Sequence, residues 1–584
     1  MRTVVRAFVA EATPIYAVGG VVRDFLLARE TDKTDVDLLL ERAALPTARR
    51  IANRLGWAFY PLDAARDVAR LVFTATNGDP LVCDVASLRG GSLETDLRAR
   101  DFTVNAMAFA LGAGDEATLI DPCNGQADLA LRCIRRVTPT SFAEDPVRLL
   151  RAVRFVHQLG FSLDEETLLQ IKRMGSTVKL ASPERIRDEL WKILATEAPA
   201  AALEDLRLLG LLPQVLPEVG LTEGVEQLFG QTAATHDWLL DPPPPSKPAT
   251  PAPPSAPITA EWPDVEWSIG EWATGEWDSG YEAPTVEWTT PEWHSDVWAG
   301  DEQLHEADGL DGEPAPAWDV YTHTLAAVTH AATIRRWLKG EAEPPREPDS
   351  WQAALMPWRS HLRQHFAQPL AVGRTRADWL PWHALLHDIG KPATRSLEPD
   401  ATGALRVHYV GHERASAAQT ASLLDRLRFG RQEVAMAATM AAHHMRLHQV
   451  HAAFAGRPIS RRACFRFFRL VGGRQFSQLL GVDAVIVALA DMQARPQQRP
   501  PDWPDVLAHC AQLISFAFAA DGLRQTQEHP LLDGNGLMQA FHLQPGRQVG
   551  EILEYILEAQ AAGEIQSRAE ALTLAHRRLH EQLA

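Results

Sequence analysis

A long acidic segment rich in tryptophan constrains the architecture of this chain more than any other feature of its sequence. Residues 258–319 contain 17 acidic side chains and no lysine or arginine. Most of its Glu-Trp pairs are five residues apart, at Trp262, Trp267, Trp272, Trp277, Trp288 and Trp293. This spacing matches neither the helical nor the strand period, and charges of one sign repel each other, so we expect no packed core. With the proline-rich stretch 241–256, the pattern predicts a disordered insert over residues 240–318.

The insert also explains the net charge of −18, because it carries nearly all of the excess of acid over base. The rest of the chain is close to neutral and can still present basic patches that bind phosphate backbones. Two roles stay open for the insert. It is either an acidic, aromatic tether for an unidentified partner or a tolerated surface insertion, since long loops add little closure entropy.

Length and cysteine usage narrow the class of protein further. A chain of 584 residues is too long for one hydrophobic core, so we expect several domains. Its five cysteines form no Cys-x-x-Cys pair, which favours reduced thiols and a cytoplasmic location. Arg6 and Glu11 interrupt the apolar residues at the N-terminus, and no run of 18 apolar residues occurs. We therefore expect neither a signal peptide nor a membrane span.

Hydrophobic periodicity suggests the domain order. An α/β head at 1–130 is predicted from β-type runs and one helix, at Ile15–Val18, Val36–Leu40, Val68–Ala75, Leu81–Val85 and Thr47–Leu55. A helical neck is predicted at 131–239, with its clearest amphipathic segments at Val147–Leu159 and Ser182–Leu194. Helical patterns return after the insert and predict two further domains, at 319–500 and 501–584.

The head begins with a strand that runs through paired glycines into a helix, Tyr-Ala-Val-Gly-Gly-Val-Val-Arg-Asp at residues 16–24. Gly19 and Gly20 let backbone N–H groups approach phosphates closely. Asp35 and Asp37 follow on a predicted strand and point to the same side, because side chains alternate along a strand. Two such carboxylates can hold divalent ions that activate a hydroxyl and stabilise leaving pyrophosphate. An isolated pair would be interpreted as solvated strand acids, but its position after the glycine turn favours the metal site.

These residues and the motifs after them resemble the class II tRNA nucleotidyltransferases and the bacterial poly(A) polymerases. The resemblance covers about residues 1–195. It implies an α/β nucleotidyltransferase head, with a polymerase-β-like mixed sheet and helices, followed by all-α neck, HD and tail domains. It also implies Mg²⁺ at the head, CTP and ATP as substrates, and a tRNA or other RNA 3′ end as acceptor. The residues implied to bind the nucleotide here are Gly19, Gly20, Arg23, Arg100, Asp101 and Asn105, the last two at the sugar.

Asp145 and Arg148 match the family's base-selecting motif. They are three residues apart, hence on one helical face if the helix starts near Asp145. Cytosine and adenine each present an amino donor beside a ring-nitrogen acceptor, and a carboxylate beside a guanidinium complements that pattern. We therefore predict selection of C and A, with a surface salt bridge as the alternative. Arg151 and Arg154 continue the spacing and are expected to support this site or contact RNA.

Two features bear on the catalytic acids and on the product. Asp84, on the strand predicted at Leu81–Val85, is either a third metal-binding acid or a structural one. Family members that add the terminal A carry an extended flexible segment before the sugar motif, whereas here only Ser87–Leu97 separates this strand from Arg98. That short segment resembles the enzymes that add only CC, so the resemblance implies CC as the product and leaves CCA open.

A second motif lies in the region after the insert. His387, Asp388 and the following Lys391 resemble the HD-domain phosphohydrolases. The resemblance implies hydrolysis of a phosphoester by metal-bound hydroxide, with Lys391 stabilising charge. Imidazole and carboxylate ligands suit Mg, Mn, Ni, Co, Fe or Zn. The implied ligands are His323, His387, Asp388, His412, His443 (or its neighbour His444) and Asp491.

Three alternatives to a C-adding tRNA nucleotidyltransferase stay open. A poly(A) polymerase shares nearly every motif. An HD phosphohydrolase with an RNA-binding head would not need Asp35 and Asp37. A scaffold centred on the insert would lose its function when residues 240–318 are deleted. In the leading interpretation, the tail at 501–584 holds the tRNA body through shape and phosphate contacts.

Overall fold

The computed structural model describes most of the chain on either side of the insert. The described residues are 7–11, 14–29, 35–74, 80–111, 117–219, 313–314, 320–341, 350–371, 373–399, 403, 405–472, 479–495, 502–519, 523 and 530–583. Apart from residues 313 and 314, the insert predicted at 240–318 lies outside them, and so does the side chain of Asp35. The described residues form two compact units, the first ending at Ala181 and the second beginning at Ser182.

A seven-stranded mixed sheet forms the first unit, in the order β3-β4-β5-β2-β1-β6-β7. Strands β2 and β5 are parallel, and the other neighbours are antiparallel. This sheet confirms the predicted α/β head, with three strands (β3, β6 and β7) that the periodicity did not reveal. The strands are β1 Ile15–Val18, β2 Asp35–Leu40, β3 Ala58–Asp63, β4 Val68–Thr74, β5 Pro80–Ser87, β6 Ala108–Leu111 and β7 Ala117–Ile120.

Helices and a short strand pair complete the described part of the first unit. Helix α2 buries Ala48, Ile51 and Ala52 on one face. It is followed by Gly56, whose φ of 69° suits a residue without a side chain. The helices are α1 Gly20–Leu26, α2 Ala44–Leu55, α3 Leu93–Arg98, α4 Gly125–Ala130, α5 Ser141–Glu144, α6 Arg148–Leu159 and α7 Glu165–Met174. The parallel strand pair is β8 Cys133–Ile134 and β9 Ser162–Leu163.

The second unit is mostly helical. Its helices before the insert are α8 Pro183–Leu194, α9 Pro199–Leu208 and α10 Leu212–Val215. After the insert follow α11 Val320–Lys339, α12 Trp351–Leu355, α13 Arg359–Phe366, α14 Arg376–Leu386, α15 Lys391–Thr394, α16 His412–Arg426, α17 Arg431–His443, α18 Arg446–Ala453, α19 Arg461–Gly472, α20 Leu480–Gln493, α21 Trp503–Phe518, α22 Gly534–Phe541, α23 Arg547–Ala562 and α24 Arg568–Leu583.

Short strands depart from the predicted all-α character of the neck and HD regions. The β8–β9 pair lies in the predicted neck. Strand β10 Glu313–Pro314 lies in the predicted insert and pairs with β14 Leu405–His408 of the HD region, so the expectation of disorder is wrong for these two residues. The other strands of the HD region are β11 Pro369–Ala371, β12 Arg374–Thr375 and β13 Ser396–Pro399. They pair as β11–β12 and β10–β14–β13. Runs of two to four residues are too short for a period-two pattern to be recognised in sequence.

An aromatic cluster explains why the second unit begins at Ser182. The ring of Trp191 in α8 lies 5.3 Å from that of Trp379 and 6.1 Å from that of Trp382, both in α14. Arg335 of α11 donates to the carbonyl oxygens of Leu194, Ala195 and Thr196 at the C-terminal end of α8. These contacts satisfy backbone acceptors that a helix end leaves unpaired.

The predicted domain boundaries do not include the division between Ala181 and Ser182. Residues 131–181 of the predicted neck pack with the head, and residues from Ser182 pack with the later helices. The boundaries at 130, 239 and 500 stay predictions. Among the described residues, no helix is both long and apolar enough to cross a membrane. All five cysteines are described, and none forms a disulfide.

Candidate active site and candidate metal centre

The glycine turn of the first unit makes room for two charged side chains. Gly19 has a φ of 75°, a conformation that L side chains rarely adopt. A Cβ atom at Gly19 would lie 3.1 Å from Nη1 of Arg100 and 3.3 Å from Oδ2 of Asp37. Asp37 is exposed on β2 between the buried Val36 and Leu38. The fold therefore places a carboxylate and a guanidinium against the turn where phosphates were predicted to bind.

Asp84 lies beside Asp37 in the sheet. The two residues are register partners on the parallel strands β2 and β5. On its other side, Asp84 accepts two hydrogen bonds from Arg70 of β4, at 2.8 and 2.9 Å. This bidentate pair fixes the orientation of the carboxylate and offsets its charge. Asp35 is the register partner of Val82, two positions before Asp37 on the same strand.

A buried chain of polar side chains contains the residues predicted to contact the sugar. Asp101 accepts hydrogen bonds from Arg151 on Oδ2 and from Asn105 on Oδ1. Asn105 in turn accepts a hydrogen bond of 2.7 Å from Arg23, whose other donors contact Asp24. Burial opposes the charged form of Asp101, but Arg151 and these hydrogen bonds outweigh it and lower its pKa to about 2.

Arg23 belongs to this buried network of polar side chains. Its guanidinium is buried and lies 5.3 Å from the ring of Phe155. The hydrogen bonds to Asp24 and Asn105 direct it towards the sugar motif. Arg154 is also buried, with its guanidinium 4.4 Å from the centre of the Phe155 ring.

The base-selecting pair has a different backbone from the one predicted. Helix α6 begins at Arg148, and Asp145 precedes it in an extended conformation with φ −149° and ψ 94°. The expectation that both residues lie on one helical face is therefore wrong. Pro146 explains it, because proline disfavours helical geometry in the residue before it. The pair still forms, with Arg148 Nε 3.8 Å from Asp145 Oδ2.

The guanidinium of Arg148 also holds neighbouring backbone. It donates to the carbonyl oxygen of Ala99 at 2.7 Å and to the hydroxyl of Ser141 at 2.9 Å. A longer contact of 3.4 Å reaches the carbonyl oxygen of Arg100. Arg148 thus connects the segment before Asp101 with the start of α6.

Among its described residues, the second unit contains two groups of potential metal ligands. In each group, one ligand atom per residue lies within 4.8 Å of the others. The first group is His323, His387 and Asp491, and the second is Asp388, His412 and His444. Asp388 faces both groups, with Oδ2 3.1 Å from His387 Nε2 and Oδ1 3.4 Å from His444 Nε2. Asp388 would therefore be available as a ligand in either group.

The backbone orients three of the histidines. Nδ1 of His387, His412 and His444 lies 2.8, 2.9 and 2.8 Å from the carbonyl oxygens of Ala384, Tyr409 and Ala441. A carbonyl only accepts, so in the neutral form of each ring Nδ1 carries the proton and Nε2 keeps a lone pair. The Nε2 atoms of His412 and His444 are 3.2 Å apart. Two lone pairs at this distance would repel each other, and a proton or a metal ion between the two rings would relieve that repulsion.

The charges of the two ligand groups also favour a bound cation. Nε2 of His387 and Oδ1 of Asp388 are buried without a hydrogen-bond partner of good geometry. Burial disfavours protonated His387, yet Asp388 and Asp491 outweigh it and raise its pKa to about 10. The histidines and Lys391 hold the pKa of Asp388 well below its usual range despite burial. Two buried carboxylates therefore attract a cation, and the nitrogen and oxygen donors around them fit a divalent metal ion.

Comparison with known proteins covers both units. The Poly A polymerase head domain model matches residues 15–135, and the HD domain model matches residues 320–491. A model described as a probable RNA and SrmB-binding site of polymerase A matches residues 160–221. An A-adding tRNA nucleotidyltransferase of Deinococcus radiodurans is 28% identical over 96% of this chain and 94% of that protein. The chain belongs to the tRNA nucleotidyltransferase and poly(A) polymerase family.

Other members of this tRNA nucleotidyltransferase family carry different product names. A CC-adding enzyme of Thermus thermophilus is 27% identical over 95% of this chain and 92% of that protein. A CC-adding enzyme of Geobacter sulfurreducens is 42% identical, but the match spans only 30% of this chain and 39% of that protein. A solved CCA-adding enzyme shares the fold, with a TM-score of 0.52 at 17% identity, over 98% of this chain and 92% of that one.

For one predicted HD ligand, the structure favours the alternative residue that the sequence left open. His444, the alternative to His443, supplies the ring nitrogen near Asp388. Successive residues of helical backbone point about 100° apart, so only one of the two can face the carboxylate. Burial lowers the pKa of His443 to about 3. The remaining predicted ligands, His323, His387, Asp388, His412 and Asp491, lie in the two groups.

Sequence reasoning missed two residues that contact the site residues of this family member. Arg70 binds Asp84, and a single arginine on a predicted strand gives no sign of its partner. His448 lies 2.9 Å from Asp491 Oδ2 and is buried. It is four residues after His444, and this helical spacing could have drawn attention to it.

Proposed function

We propose that this chain adds C to the 3′ end of tRNA from CTP, with CC as the product. The observation that carries the proposal is the position of Asp37 against Gly19 and Arg100 and beside Asp84. A carboxylate at a phosphate-binding turn is the arrangement that nucleotidyl transfer needs. The names of the relatives, all tRNA nucleotidyltransferases, support tRNA as the acceptor.

Each residue has a proposed role. Asp35 and Asp37, with Asp84 beside them, would hold Mg²⁺, which when bound activates the 3′-hydroxyl and neutralises the leaving pyrophosphate. Gly19, Gly20 and Arg100 contact the phosphates. Asp101 and Asn105 bind the sugar from the buried chain that Arg23 and Arg151 complete. Asp145 and Arg148 select cytosine, and ATP would be accepted through the same pattern.

The segment before the sugar motif supports CC as the product. Residues Arg89–Gly91 form a 3₁₀ turn, and α3 begins directly after Ser92. The Ser92 side chain caps that helix by accepting a hydrogen bond from the N–H of Thr95. The whole segment is therefore short and structured, without the extended loop expected of enzymes that add the terminal A.

Product length on defined acceptors tests this proposal. Purified protein and Mg²⁺ are incubated with tRNAs that end before CCA, after C and after CC, with CTP and ATP supplied separately and together. We expect growth by CC that then stops. Addition of A alone to the tRNA ending in CC would identify an A-adding enzyme, and a long A tail would identify a poly(A) polymerase. No incorporation on any acceptor would contradict the transferase proposal.

The two ligand groups of the second unit favour a further activity. We propose hydrolysis of a phosphoester there, with His323, His387, Asp388, His412, His444 and Asp491 as ligands of divalent ions that supply a hydroxide. Lys391 Nζ lies 2.7 Å from Asp388 Oδ2 and so stands beside the proposed ligands, where it would stabilise charge on a substrate phosphate. Incubation with RNA ending in a 2′,3′-cyclic phosphate tests this, and hydrolysis should be lost in His387→Ala. Unchanged hydrolysis in that variant would place the activity elsewhere.

A further inference from the structure

The carboxylate of Asp491 is held from both sides. Oδ1 lies 2.8 Å from Nε2 of His323, a proposed metal ligand. Oδ2 lies 2.9 Å from Nε2 of His448, which belongs to neither ligand group. His448 lies in α18, and Asp491 lies in α20. Two separate helices thus meet at this carboxylate.

The proton on His448 can be assigned from its other neighbour. Nη2 of Arg495 lies 3.1 Å from Nδ1 of His448. A guanidinium only donates, so Nδ1 must be the acceptor and the single proton of the neutral ring is on Nε2. His448 therefore donates its Nε2–H to Asp491.

We propose that His448 and Arg495 are positioning residues for the metal centre of the second unit, acting through Asp491. The donated hydrogen bond occupies Oδ2 and fixes the carboxylate plane, so that Oδ1 faces His323 and His387. Outer residues of this kind orient metal ligands, and their loss commonly costs 10–100-fold in metal affinity. The inference rests on the proposed metal site and is independent of the nucleotidyl transfer.

A neighbouring histidine offers a matched control. His451 lies in the same helix, one turn after His448, and both are buried. Its Nε2 lies 2.8 Å from Asp502 Oδ2, so it too is a buried histidine paired with an aspartate. His451 is in neither ligand group. A loss of packing should appear in both variants, whereas an effect on the metal should appear only in His448.

Cobalt titration of the full chain tests the inference. Co²⁺ binding is followed by calorimetry and by its visible absorption, which reports the ligand geometry. We expect His448→Ala to bind about 10–100-fold more weakly than the wild type, with an altered spectrum. His451→Ala should bind like the wild type. His448→Gln should recover most of the affinity, because an amide offers one acceptor and one donor in place of the ring nitrogens.

The outcomes distinguish failure of the metal site from failure of the positioning role of His448. Wild-type protein that binds no more Co²⁺ than His387→Ala would contradict the metal site itself. Wild-type protein that binds, together with His448→Ala of equal affinity and spectrum, would contradict the positioning role alone. Equal weakening by His448→Ala and His451→Ala would also contradict it, because the cause would then be packing. Arg495→Met should weaken binding less than His448→Ala, since the ring keeps its place and only its tautomer is released.

Discussion

The two sites balance the charge of their carboxylates in different ways. In the first unit, arginines of the chain do so: Arg70 pairs with Asp84, Arg151 with Asp101, and Arg100 with Asp96. In the second unit, Asp388 and Asp491 are surrounded mainly by histidines, several of them with Nδ1 bound to backbone carbonyls. Histidines held in this way have Nε2 available for a metal ion. The carboxylates of the first site are therefore held by arginines of the protein, whereas those of the second unit's two ligand groups are arranged as a metal ion would need.

This difference predicts separate sensitivities. A substitution in the first unit should alter transfer through the position of the nucleotide or through the stability of that unit. A substitution in the second should alter metal binding first. The predictions below test this separation, beginning with the largest effect.

Asp37→Ala should reduce CTP incorporation by about 10³-fold or more. Charge stabilisation by a bound metal contributes several kcal/mol to such a reaction, and about 1.4 kcal/mol corresponds to tenfold in rate. Primer extension on tRNA ending before CCA measures the loss. Asp63→Ala, which removes a half-buried acid at the end of β3 in the same unit, is the control and should retain wild-type rates. Co²⁺ binding by the second unit should be unchanged in both variants, and a loss there would break the separation.

His387→Ala should weaken Co²⁺ binding by at least about 10²-fold, since loss of a ligand should exceed the 10–100-fold typical of outer residues. CTP incorporation should stay within twofold of wild type. His383→Ala is the control, because His383 lies one turn earlier in α14, is equally buried, and belongs to neither ligand group. If incorporation fell together with metal binding, the two sites would not be independent.

Arg151→Met should destabilise the first unit by about 2 kcal/mol at neutral pH. Asp101 is charged there and its pKa is about 2 in the folded protein, roughly two units below that of an unfolded chain. Because the folded pKa is depressed, its stabilisation is present above about pH 4 and is lost as the pH falls towards 2. The difference between wild type and Arg151→Met should therefore shrink over this range.

Urea unfolding at pH 7 and pH 2.5 measures this difference. Arg98→Met removes an exposed pair with Glu94 and should cost at most about 0.5 kcal/mol at pH 7. A gap between wild type and Arg151→Met that stayed constant with pH would show that packing of Arg151 on Phe155, and not the charge on Asp101, is the cause.

The limits of sequence reasoning also differ between the two units. Chain-local features were predictable: the strand Ile15–Val18 was placed correctly, and the helix expected at Ser182–Leu194 begins one residue later at Pro183. The Asp145 backbone was not, because the three-residue spacing suggested a helix that Pro146 excludes. Partners such as Arg70 for Asp84, or His448 for Asp491, depend on register and helix packing between distant segments. Spacing alone also could not choose between His443 and His444, which requires the rotation of α17 around its axis.

Gly19→Ala gives the smallest predicted effect and separates backbone strain from crowding at the site. Gly19 and Gly56 have similar positive φ values, 75° and 69°, so alanine at either should cost about 1 kcal/mol in thermal unfolding. An added Cβ meets nothing within 4 Å at Gly56, whereas at Gly19 it crowds Arg100 and Asp37. Because those side chains must shift by a few tenths of an ångström, CTP incorporation should fall by about tenfold in Gly19→Ala alone. Equal incorporation by the two variants would mean that the close approach of these groups to the turn is not needed for transfer, and the arrangement that carries the proposed function would lose its support.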